Sequence, residues 1–136
     1  MRRPDWQPQL WRELAAAELR EFRYGVHDCV ILTARCLDAM LDNGGAHESF
    51  VRSKYTDKRT ALRTLMRGGG MEAWVESYLG APVARNWARP GDVCALMLDT
   101  GPAVGISLGP RVAVAASPSG VRYLHASCVD AVWRVD

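Results

Sequence analysis

The chain has 136 residues, 49% hydrophobic and 24% charged, with 17 basic against 15 acidic side chains and a net charge of +2. That length suits one domain with its own core, too short for two, and the apolar fraction excludes general disorder. No run of about 18 apolar residues offers a membrane span, and Asp5, Arg12 and Glu13 break up any signal-peptide core after Met1-Arg2-Arg3.

In chain order, the first half reads as helical. Pro8 precedes a helix expected over residues 9–22, with Trp11, Ala15, Leu19 and Phe22 as an apolar stripe that Leu14 widens. Tyr24-Gly25 breaks it. A second helix is expected over Cys29–Leu41, with Asp28 as N-cap and Val30, Ala34, Leu37 and Leu41 as its core face. Asp42-Asn43-Gly44-Gly45 stops it. A third helix is expected over residues 60–67, ended by Gly68-Gly69-Gly70, and a fourth over Met71–Leu79. The three glycines have no Lys-Ser/Thr after them at phosphate-loop spacing, so they read as a joint between helices.

The second half changes period. Pro90-Gly91-Asp92 turns into Val93–Leu98, an uncharged run suited to a buried strand. Alternating Val104, Ile106 and Leu108, then residues 112–116, 121–124 and 131–135, supply further short strands separated by glycine and proline turns, among them Ser117-Pro118-Ser119-Gly120. Close spacing favours an antiparallel sheet. Helices first and sheet second predict a single α+β domain over residues 1–136.

Four cysteines are too sparse for a disulfide scaffold, and Cys29, Cys36, Cys94 and Cys128 show neither zinc-site pairing nor a CxxC redox pair. Dispersed histidines and the lack of HExxH speak against metal catalysis, and no cofactor motif is present. Cys36 and Cys94 read as packing residues. Cys29 differs, because it opens a helix, where free backbone N–H groups and the positive helix end favour a thiolate and suit an oxyanion. The basic cluster Arg52, Lys54, Lys58, Arg59, Arg63 and Arg67 lacks interleaved aromatic residues, so it reads as a solvated helix face before a nucleic-acid site; an anionic partner surface is the alternative.

The Tyr24-Gly25 turn, the Asp28-Cys29 helix start, the Pro90-Gly91-Asp92 strand entry and the Val104-Gly105-Ile106-Ser107-Leu108-Gly109 segment resemble the NlpC-like peptidoglycan peptidases. More narrowly, they resemble small papain-like proteins encoded with bacteriophage tail genes. Trp11, the passage from Arg63 to Gly70 and Ala131-Val132-Trp133-Arg134 extend the likeness over residues 6–135. The resemblance implies a papain-like fold and cysteine acyl chemistry on cell-wall stem peptides, with Cys29 as attacking thiol and a histidine just before Val104 as its base.

Ala103 stands at that histidine position, and residues 112–116 offer no histidine, asparagine or glutamine to orient a base. His27 and His125 are the substitute candidates; His47, beside Glu48, reads as a surface residue. Asp92 reads as a turn-fixing residue. Three functions follow from the resemblance. The first is a tail-tip component with a degenerate peptidase site, located in the virion tail, meeting other tail proteins or host peptidoglycan, with no nucleic-acid partner and no membrane insertion. The second is an active endopeptidase or amidase using Cys29 with His27 or His125. The third is a wall-peptide-binding module without catalysis.

Overall fold

The computed structural model describes residues 1–116 and 118–136. Five helices precede a five-stranded antiparallel sheet, so the α+β architecture is as expected. Ser117, in the turn expected ahead of the fourth strand, lies outside the described residues.

Helix α1 runs Trp6–Glu18, three or four residues earlier at each end than the apolar periodicity implies. Its buried face is Leu10, Leu14 and Ala17, whereas Trp11 is 55% and Leu19 91% exposed. Of the anticipated stripe, Trp11, Ala15 and Leu19 face solvent, Phe22 packs partly against the core, and only Leu14 is fully buried. The choice is made by Ala17, which is small enough to let a strand backbone approach: the carbonyls of Ala17 and Arg20 lie against Gly120, where any Cβ would collide with both.

Helix α2, Cys29–Leu41, has the expected bounds because its punctuation is chemical. Asp28 caps it by accepting from the Ile31 N–H at 2.9 Å, and Asp42 closes it in the left-handed conformation at φ 53°. Ile31, Leu32, Ala34, Cys36, Leu37 and Met40 are all buried. This helix is the hub, packed on α1, on the sheet and on α3, Ala46–Arg52.

Sequence periodicity does not reveal α3. Its first turn is anchored by Asp38 of α2, whose carboxylate accepts from the His47 and Glu48 N–H groups at 2.9 Å each. Helix α4, Lys58–Arg67, begins two residues earlier than expected because Asp57 and Thr60 form a reciprocal capping box. Helix α5 spans Met71–Leu79.

The strands are β1 (Val93–Leu98), β2 (Gly101–Ser107), β3 (Arg111–Ala116), β4 (Ser119–His125) and β5 (Val129–Trp133), in the order β4-β3-β2-β1-β5. The meander returns so that β5 pairs with the free edge of β1. Both sheet faces are covered. Val93, Ala95, Val104, Ile106, Ala113 and Trp133 join the helices in the main core, while Cys94, Leu96, Ala103, Val112, Val114 and Val132 form a second cluster on the other face. Cys36 and Cys94 are fully buried packing residues, as read from the sequence.

Asp92 is a buried junction at the entry to β1. Its carboxylate accepts from the Arg89 and Val135 N–H groups at 2.9 and 3.1 Å and pairs with Arg2 at 3.2 Å and Arg134 at 3.1 Å. A carboxylate with no solvent exposure is tolerable only with such saturation. Its structural reading is thus explained.

Candidate functional site

The turn before α2 is built so that Cys29 can only sit at the helix start. Arg23 and His27 exchange backbone hydrogen bonds at 2.9 and 2.8 Å, closing a tight loop. At its corner Gly25 adopts φ +81° against the Thr56 carbonyl, a place no side chain fits. Arg52 of α3 braces the loop from outside, donating to the Gly25 and Val26 carbonyls at 3.1 and 3.0 Å while paired to Glu48 at 2.7 Å.

Asp28 is the electrostatic centre of this arrangement. It is buried and accepts from Gly25 N–H, Ile31 N–H and the Tyr55 hydroxyl, the last at 2.8 Å from both oxygens. Burial first, then the Asp28 charge, pushes the Tyr55 phenol far up, so it stays a donor. No sequence signal pointed to Tyr55, because its partner lies 27 residues away.

Cys29 touches both sheet cores and lines a cleft of about 650 Å³ between α2, α4 and the open end of the sheet. Phe22, Tyr24, Leu65, Trp74, Pro102 and Ala103 contribute apolar wall, and Arg23, Asp57 and Lys58 contribute charge. Burial, followed by the Asp28 charge, pushes the Cys29 thiol up to about 12, against hydrogen bonding from the Val104, Val30 and Cys29 backbone amides. The favourable helix end that the sequence suggested is thus outweighed, first by burial and then by the charge of Asp28, which caps the same helix end.

Ala103 is buried in β2, opposite Leu96 of β1, and lines the same cleft as Cys29. His27 does not line it. It is 1% exposed, and its Nε2 meets the Gly120 carbonyl at 2.7 Å while Nδ1 has no partner among the described residues. Burial lowers its basicity, only partly offset by the Gly120 bond. His125 lies at the end of β4, where Nδ1 accepts from the Ser127 hydroxyl and N–H at 2.9 and 3.1 Å. It lines a separate groove with Arg85, Asn86 and Ser107. Cys128 is exposed in the turn that follows.

His47 is half-buried rather than free on the surface, with Nδ1 2.6 Å from the Tyr78 hydroxyl. Among the described residues, no three His, Cys, Asp or Glu side chains converge as metal ligands, and no helix is long and apolar enough to cross a membrane.

Residues 1–135 match a family model described as Domain of unknown function (DUF6950). No curated protein matches the chain. The chain belongs to the DUF6950 family.

Proposed function

For this DUF6950 member, we propose a papain-like, NlpC-type domain of a bacteriophage tail tip whose peptidase site has lost its base and binds rather than cleaves. The resemblance in the Asp28-Cys29 helix start and in the Val104–Gly109 segment supplies the family context. The observation that carries the proposal is Ala103 in the wall of the Cys29 cleft. Acyl transfer by a thiol needs a group that removes its proton and returns it to the leaving amine, within hydrogen-bond reach. Alanine can do neither. The cleft's titratable lining is Arg23, Tyr24, Asp28, Cys29, Tyr55, Asp57 and Lys58, with no histidine among them.

What remains is a concave apolar surface with charged residues at hand, suited to holding a peptide segment. In a tail tip that segment belongs to a neighbouring tail protein or to host peptidoglycan, and the domain works in tail assembly or wall contact. Two measurements test this. Dye release from purified sacculi should show no turnover by the parent protein; turnover abolished in Cys29→Ala would refute the loss of catalysis. Mass spectrometry of purified particles of the encoding phage should find the chain in the tail, and its absence would refute the virion placement.

A further inference from the structure

Helix α4 buries Ala61 and exposes a face on which Leu62 and Met66, one turn apart, are 48% and 79% accessible. Lys58, Arg59, Arg63 and Arg67 surround this pair and, with it, form a shallow groove. All four cations are exposed, and none takes part in a salt bridge among the described residues. Arg2, Arg3, Arg20, Arg35, Arg52 and Arg134 each have a carboxylate partner, and Arg12, Arg23, Lys54, Arg85, Arg89, Arg111 and Arg122 have none among the described residues; what marks the α4 cations is that all four surround one apolar groove. Asp57, the acid nearest in sequence, is occupied in capping the helix through Thr60.

We propose that this face of α4 docks an acidic amphipathic segment of a partner protein, whose apolar side chains seat on Leu62 and Met66 and whose carboxylates meet Arg59, Arg63 and Arg67. Four like charges around an apolar pair are complementary to the inverse pattern. A phosphate polymer would satisfy the cations but leave the apolar pair in water. A lipid surface calls for a wider apolar face than two side chains provide. Leu62 and Lys58 line both this groove and the Cys29 cleft, so a segment on α4 lies at the cleft's edge. The proposal concerns the outer face of α4 and does not depend on how the Cys29 site is read.

The test titrates the full chain with four fluorescent probes: a helical peptide of about 14 residues patterned Glu-Glu-Leu-Leu, a poly-Glu peptide of equal length, inorganic polyphosphate, and phosphatidylglycerol vesicles. The patterned peptide should bind at least about tenfold more tightly than poly-Glu. Arg63→Glu/Arg67→Glu should weaken it by about tenfold or more, with binding falling as salt rises. Leu62→Gln/Met66→Gln should weaken it while leaving the salt dependence in place. All these positions are exposed, and an unchanged melting curve confirms that each variant folds. Polyphosphate or vesicles binding as tightly as the patterned peptide, equal binding of poly-Glu, or no binding of the patterned peptide would each overturn the proposal.

Discussion

Asp28 sits beside Cys29 in sequence and raises its thiol, so Asp28→Asn is the sharpest probe of whether this site is held inactive. With a thiol at about 12, roughly one molecule in 10⁴ carries a thiolate at pH 8, against about a quarter for an ordinary cysteine. A thiolate of higher pKa is more nucleophilic; with a Brønsted slope of about 0.45, that recovers roughly 40-fold. Iodoacetamide should therefore modify Cys29 about 50- to 100-fold more slowly than a free exposed thiol, before any steric effect. Asp28→Asn removes the neighbouring charge but leaves the burial. If the thiol falls by about one unit, thiolate rises about tenfold and alkylation about threefold. Asparagine has one acceptor oxygen for the three donors Asp28 serves, at a cost of about 1–3 kcal/mol that a melting curve measures separately. Peptide mapping in a Cys128→Ser background isolates the rate at Cys29. A Cys29 rate that levels off below pH 8, or matches that of Cys128 in the parent protein, would refute the reasoning.

Gly120→Ala should destabilise the fold by about 1–3 kcal/mol in urea, because its Cβ meets the Ala17 and Arg20 carbonyls; an unchanged midpoint would show that β4 does not seat there. Burial lowers His27 in the folded state, so the unfolded chain takes up the proton first as pH falls through about 6.5, and stability declines from there toward the folded value. His27→Gln should flatten the difference in urea midpoint between pH 7.5 and 5.5; an equal loss in both proteins contradicts this. On the alkaline side Cys29, Cys36 and Cys94 are all raised by burial, so the unfolded chain loses those protons first. Their contribution is intact below about pH 8 and falls by about 1.4 kcal/mol per thiol for each unit above about pH 9, read as a falling urea midpoint.

Legibility in the sequence follows the range of the interaction that decides each feature. Helix α2 can be read to the residue because Asp28 and the Asp42-Asn43-Gly44-Gly45 stop are local chemistry. Its neighbour α3 stays hidden because its cap, Asp38, is supplied from another helix. In α1 the stripe through Trp11 and Leu19 has helical period, yet the buried face turns to Leu10 and Ala17 beside the expected Leu14, since period does not say which face a strand will approach. Cys29 and Ala103 are visible as a pair only through the family likeness. The state of the thiol is not, because the burial that raises it comes from elements far along the chain.

The Asp92 junction draws Arg2, Arg134 and Val135 onto one carboxylate. Arg2 also donates to the Val135 carbonyl at 2.8 Å, so the first and last turns of chain are tied directly to each other. Polypeptide joined ahead of Arg2 or after Val135 would leave from the same spot, and the domain would hang from a single stalk. A short bridge across that junction, with new ends cut at Gly44-Gly45, should yield a circular permutant that keeps every contact of the Cys29 cleft.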